Sequence, residues 1–285
     1  MSFAGTLKRA PVTARFGLAL IALNLACVLL APFIAPYGET QVVGDQWLPG
    51  FWDRASMPDG VYLLFGSDQL GRDIFSRLVY GARNSILIAL ATTALSFTVG
   101  ITAGMTAATA RGFIDQVLSR TVDILMGFPT LIFALLMLAV LGSSIPVLIG
   151  VIALLDSTRV FRISRALAMD LEAQDFVEIA RLRGEKIGWI TLHEILPNAA
   201  APLAAEFGLR FCFVFLFVAT LSFIGLGVQP PLADWGSMVR ENAAAISFGI
   251  LTPLFPATAI AILTVAVNLV VDWFIGSMGD RLRGH

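Results

Sequence analysis

The chain has 285 residues, 57% of them hydrophobic and 14% charged, with a mean hydropathy of +0.83. A water-facing globular surface cannot carry that composition, and a net charge of −1 supplies neither a basic field for nucleic acid nor an acidic tail for a basic partner. Uncharged apolar runs of about 18 or more residues recur, each able to cross the hydrocarbon of a bilayer, so an all-α membrane bundle is the expected fold class.

Lys8, Arg9 and Arg15, with no acid near them, mark residues 1–15 as a cytoplasmic segment. The first apolar run, Phe16 to Ile34, reads as a retained helix and not a signal peptide, because of its length and the spans that follow. Residues 37–84 are rich in Gly, Pro and Asp and carry Trp47 and Trp52, rings that favour a membrane interface. This segment is expected as an exterior loop lying on the bundle. Within it, Arg72 to Tyr80 predicts an interfacial helix, with Ile74, Phe75, Leu78 and Val79 on one face and Asp73 and Arg77 on the other.

Further uncharged stretches are Asn84 to Ala110, Ile124 to Leu155, Phe211 to Ala233 and Asn242 to Val271. The second is too long for one crossing, and the turn-forming Gly142-Ser143-Ser144-Ile145-Pro146 divides it into helices near Val122 to Leu141 and Ile145 to Phe161. Six spans result, with both termini cytoplasmic and a transmembrane domain over 16–275 before a tail at 276–285. Of the 19 basic residues, 13 then fall inside, Arg210 lies near a helix start, and five fall outside: Arg54, Arg72, Arg77, Arg83 and Arg240. The excess follows the positive-inside rule, although Arg72, Arg77 and Arg83 crowd the second span on its exterior side.

Residues 162–200 form the one long polar segment inside. Asp175 and Glu178 predict an Asp-headed capping box starting a helix Phe176 to Arg183, and Gly184 suits the left-handed position past its end. Ile187, Trp189, Ile190 and Leu192 begin a second apolar stretch, and Pro197 marks a turn back to the membrane. The expected product is a hook of two short helices, read either as a docking element or as a solvated loop.

Several chemistries have no residues to perform them. Lys8 and Lys186 are the only lysines and neither follows a phosphate-binding glycine pattern. His193 and His285 have no carboxylate or cysteine array beside them, and Cys27 and Cys212 lie inside separate apolar runs as packing residues. No cofactor is expected on this chain. Glu206 and Arg210, four apart at the start of the fifth span, are candidates for a solute path. The same two could pair on one helix face, and with Asp156, Arg159, Asn268 and Asp272 they read otherwise as interfacial or bundle-packing groups, none expected at mid-membrane.

Long ordered runs resemble a known family. Phe65-Gly66-Ser67-Asp68-Gln69-Leu70-Gly71-Arg72-Asp73-Ile74-Phe75-Ser76-Arg77, then Asp123 with Phe128-Pro129, carry the likeness. So do Leu221-Ser222-Phe223-Ile224-Gly225-Leu226-Gly227-Val228-Gln229-Pro230-Pro231 and Trp235-Gly236. They resemble permease subunits of bacterial ATP-binding-cassette importers of the oligopeptide, dipeptide and nickel family, the shorter of each permease pair. The hook, with Glu178-Ile179-Ala180, Gly184 and Ile195-Leu196-Pro197-Asn198, looks like that family's EAA loop. Ile179 replaces the usual middle alanine, and Gly279-Asp280-Arg281-Leu282-Arg283 replaces the usual Leu-Asp-Pro ending.

The resemblance implies a type I importer permease in the bacterial inner membrane. It places Glu178, Ile179, Ala180, Arg181, Arg183, Gly184 and Pro197 at the coupling contact, and Gly71, Arg72, Asp73 and Arg77 in an exterior motif. Its implied partners are a second permease, two ATPases that hold ATP and Mg2+, and a solute-binding protein. Short peptides are the implied cargo, with nickel, glutathione-like and glycosidic solutes as alternatives. A self-sufficient secondary transporter is the rival from another class, and it should show internal repeats and polar broken helices.

Overall fold

The computed structural model describes residues 11–56, 60 and 62–283, with the backbone alone at 54–56 and 278–283. Its helices in chain order are α1 (Val12–Ile34), α2 (Ile74–Ala110), α3 (Gly112–Met126), α4 (Thr130–Leu141) and α5 (Ile145–Glu172). They continue as α6 (Asp175–Leu182), α7 (Ile187–Ile224), α8 (Trp235–Glu241) and α9 (Leu254–Arg283). Within the described residues two compact units form. One gathers residues up to Leu90 with Ser143–Ile145 and Phe215–Trp273; the other gathers Ala91–Gly142, Pro146–Val214 and the chain from Phe274.

In the first unit the exterior-loop motif is the start of α2, not a separate interfacial helix. Helix begins at Ile74, ten residues before the uncharged stretch, because Asp73 caps it: its carboxylate accepts from the Ser76 amide at 2.8 Å and the Ser76 hydroxyl at 2.6 Å. The expected polar face is absent, for Asp73 and Arg77 are both buried. Arg77 Nη1 lies 2.5 Å from Asp68 and 2.8 Å from Glu241, while Arg72 reaches the same two acids at 2.7 and 2.9 Å. Two cations and two anions thus neutralise one another out of water. Gly71 turns the chain at φ +73°, where a Cβ would stand 1.9 Å from the Gly44 carbonyl oxygen. Helix α8 is tied to α2 by Ser85 Oγ donating to Asp234 at 2.8 Å and Trp235 Nε1 donating to the Leu78 carbonyl at 2.8 Å.

The second unit is organised by α2 and α5. Ser96, Gly100 and Gly104 form a small-residue stripe at four-residue spacing, and each meets the residue sixty further on. Ser96 Oγ donates to Asp156 at 2.7 Å; a Cβ on Gly100 would lie 2.6 Å from Val160 Cβ; one on Gly104 would lie 2.1 Å from Ser164 Oγ. Ala108 and Ala168 extend the series in one buried cluster. A constant offset means that α2 and α5 run parallel, closely packed backbone to backbone. The connection between them must therefore reverse direction, and α3 and α4 supply it with an 89° bend between them.

That bend corrects the expected single helix Val122 to Leu141. Pro129 has no amide hydrogen and disfavours helix at Phe128, so α3 ends with the Gly127 amide bonding the Asp123 and Ile124 carbonyls. Other boundaries move as well. Helix α5 runs to Glu172 and not Phe161; α7 stops at Ile224, where Gly225 takes φ +104°; and α9 begins at Leu254 and not Asn242. Four described helices are long and apolar enough to cross a membrane, or five if α3 and α4 make one span. The six expected spans include α5, which fails that test because Asp156, Arg159, Arg162 and Arg165 interrupt it.

Two outcomes are expected. Gly104→Leu should separate α2 from α5 and abolish recovery of folded protein in size-exclusion chromatography, since backbone and a fixed hydroxyl leave no room. Arg77→Met should cost about 3–5 kcal/mol by leaving buried acids short of a cation, read as a lowered Tm; Arg83→Met, at an exposed position, should leave Tm unchanged.

Candidate functional site

The hook expected over residues 162–200 is present, built differently from its prediction. Helix α6 starts at Asp175 and its N-cap position is Gln174, with no side-chain cap, so the Asp175–Glu178 capping box does not form. Its far end follows the sequence signal closely. Gly184 takes φ +80°, its amide bonds the Arg181 carbonyl at 2.9 Å, and the Glu185 amide bonds the Ala180 carbonyl at 3.3 Å. This is a Schellman closure, which the left-handed glycine makes possible.

The second piece of the hook is not a separate helix. Ile187 to Ile190 is α-helical, Thr191 to Ile195 forms one π turn, and the chain continues unbroken through α7. Pro197 therefore lies inside a helix, not at a turn. Its missing amide and its ring both disturb the preceding turn, and the wider π turn, with the Leu196 amide bonding the Thr191 carbonyl, absorbs the disturbance.

Periodicity gives the hook an inner and an outer side. Val177, Ala180, Ile190 and Ile195 are buried with Met105, Ala108, Ala168, Ala199 and Leu203. Ala180 is thus a packing residue of the hook's own core and offers no surface for a partner. Outward stand Ile179, Leu182, Ile187, Trp189 and Leu192, with Leu182 82% exposed, among Glu178, Arg183 and Gly184. These apolar side chains form an uncovered ridge along the outward side. Glu172, which sequence reasoning passed over, anchors the base: its carboxylate is buried and binds Arg181 of α6 and, at 3.1 Å, Arg111. Arg183 pairs with Glu194 at 3.3 Å, and His193 stacks on Trp189 with centroids 4.8 Å apart.

The same unit brings Glu206 and Arg210 to Asp156. Arg210 lies 2.8 Å from Glu206 and 3.4 Å from Asp156, and its guanidinium sits 4.7 Å from the Phe213 ring centroid. Ser96, the hydrogen-bond donor to Asp156, falls near the middle of the uncharged stretch Asn84 to Ala110. Asp156, Glu206 and Arg210 therefore pack within the bundle, with Asp156 set beside the middle of that stretch. The offset pairing of α2 with α5 carries the information, and no single segment contains it.

Four or five helices long and apolar enough to cross a bilayer define an integral membrane protein. Residues 100–284 match the family described as the binding-protein-dependent transport system inner membrane component, and the chain belongs to that family. It is a multi-pass bacterial inner-membrane protein. It is 32% identical over 273 residues to the di/tripeptide transport system permease protein DppC of Pseudomonas aeruginosa, covering 94% of this chain and 88% of the relative. It is 31% identical over 266 residues to the glutathione transport system permease protein GsiD of Escherichia coli, covering 93% and 85%. The fold is shared with the MetNI methionine ABC transporter in an inward-facing form, at TM-score 0.56 and 13% identity, covering 72% of this chain and 97% of that one.

Gly184→Val should strain the Schellman closure, because a left-handed conformation costs a side-chain-bearing residue about 1–2 kcal/mol. No atom lies within 4 Å of the added Cβ, so the effect should stay local. Hydrogen exchange should quicken at residues 180–190 while α2 and α5 remain protected.

Proposed function

We propose that the chain is one half of the pore of an ATP-driven importer that moves short peptides into the cytoplasm by alternating access. The observation that carries this reading is the hook, with an exposed apolar ridge outside and a core continuous with α2, α5 and α7 inside. A partner pressing on Ile179, Leu182, Ile187 and Leu192 moves helices and not a loose loop. The partner is a cytoplasmic ATPase, two copies of which bind ATP and Mg2+; this subunit performs no catalysis. Glu178, Arg183 and Gly184 accompany the ridge at that contact, and Arg181 and Ala180 support it from within. A second permease completes the pore, and an exterior solute-binding protein delivers the solute.

In this reading both termini are cytoplasmic and six crossings are made by α1, α2, α3 with α4, α5, α7 and α9. The parallel run of α5 beside α2 supports counting α5, since Asp156 is turned inward onto Ser96 and Arg210. The buried pairing of Arg72 and Arg77 also removes two of the three cations that weighed against this orientation. Asp156, Glu206 and Arg210 line the solute path. The relative DppC supports di- or tripeptide cargo, and GsiD supports glutathione, itself a small peptide.

The test is affinity purification of the tagged chain from its native membrane in mild detergent, with mass spectrometry of what accompanies it. A second permease and two ATPases should be recovered. Leu182→Glu with Ile187→Glu should reduce ATPase recovery at least tenfold while retaining the second permease. Undiminished recovery would overturn the docking surface, and a chain that purifies alone in several detergents would restore the secondary-transporter reading.

A further inference from the structure

We propose that the cavity walled by Trp47, Trp52, Phe65 and Phe255 holds an acyl chain of a membrane phospholipid. The cavity has a volume of about 480 Å³ and is completed by Leu48, Pro49 and residues 249–252, with no charged side chain in its lining. Its walls are ordered aromatic surface. Phe65 stacks on Phe255 at a centroid distance of 4.5 Å and 17° between planes, and Trp52 stacks on the same ring at 6.4 Å and 28°.

Trp47 carries two costs in holding this wall. Its backbone has φ +54°, left-handed for a residue with a large side chain, and its indole Nε1 is buried without an acceptor among the described residues. The ring is held against Phe248, with centroids 5.5 Å apart, and lines the cavity. Phe255 belongs to the first turn of α9, a helix fit to span the bilayer; Leu251 in the lining and Phe248 and Leu254 beside it are exposed. The cavity therefore lies where hydrocarbon begins, the level at which tryptophan concentrates.

A second apolar cavity, about 350 Å³, is lined by Ile34, Pro36, Phe51, Tyr62, Leu63, Leu64 and Phe75, at the end of α1. Phe51 lines one cavity and its neighbour Trp52 the other, with ring centroids 5.7 Å apart. Two apolar slots on either side of one aromatic pair, each at the end of a span, suit hydrocarbon. A zwitterionic peptide would need charged groups for its termini, and a docking protein would need the polar rim that such interfaces carry. The larger slot has no charged side chain, and its polar side-chain groups are the Thr252 hydroxyl and the two indole N–H groups.

The complex, purified with its accompanying subunits, is placed in nanodiscs containing a phosphatidylethanolamine with a mid-chain diazirine. After photolysis, labelled peptides are mapped. Labelling should concentrate on residues 47–52 and 250–255, several-fold above Leu23 and Leu29, which are exposed on α1. Ile250→Trp, which fills the cavity, should lower it several-fold and leave Leu29 labelling unchanged. Phe255→Ala, which removes the stacked wall, should lose the phospholipid that the wild-type complex retains through detergent exchange. Labelling no stronger than on α1, insensitivity to Ile250→Trp, wild-type complex free of phospholipid after exchange, or a side chain of the second permease cross-linked to Phe255 would each overturn the proposal.

Discussion

The close approach of α2 and α5 is the constraint on which the second unit depends. In hydrocarbon, apolar side chains gain little by leaving lipid for one another, so helix pairing rests on packing and on hydrogen bonds between helices. Gly100 and Gly104 let the backbones meet, and that contact brings Ser96 onto Asp156. From the same pairing follow the parallel course of the two helices, the need for a reversing connection, and the floor of alanines on which the hook rests. One stripe of small residues thus fixes both the interior polar cluster and the base of the outward ridge.

The ionisable residues fall into two kinds with different physics. Arg72, Arg77, Asp68 and Glu241 form a closed, neutral set with almost no access to water. Such a set specifies geometry more than it adds stability, since two desolvated ion pairs gain little over apolar packing but lose much when one member goes. Asp156, Glu206 and Arg210 form an unbalanced set, two acids to one base, and the side chains of Glu206 and Arg210 keep some exposure at 16% and 14%. The first kind suits a rigid joint; the second keeps partial access to its surroundings.

Composition and charge placement made the membrane bundle legible, and the hook was legible because a glycine after an amphipathic turn has few other uses. Gly184 sits as that logic requires. The boundaries were less legible, for hydropathy marks what lies in lipid and not where a helix starts. Asp73 begins α2 well before the apolar run, and its carboxylate cap with Ser76 three residues later was visible in the sequence but was assigned to a surface face. The Asp175–Glu178 pair misled in the opposite way, with a plausible cap signature set inside the helix and no cap made. The inward-facing polar cluster was hidden for another reason. Asp156 looks terminal in the sequence, and only the sixty-residue offset to Ser96 sets it beside the middle of an uncharged stretch.

The π turn at Thr191–Ile195 amounts to one extra residue in an otherwise continuous helix. Each residue of an α-helix advances the side chains by about 100°, so that single insertion sets the angular phase between Ile187, Trp189 and Leu192 on one side and the bundle-facing residues of α7 on the other. Removing it would leave the chain helical and nearly as long, yet the ridge would point in another direction. The spacing between the hook and Pro197 is therefore a quantity measured in single residues, and this stretch should tolerate changes of side chain far better than changes of length.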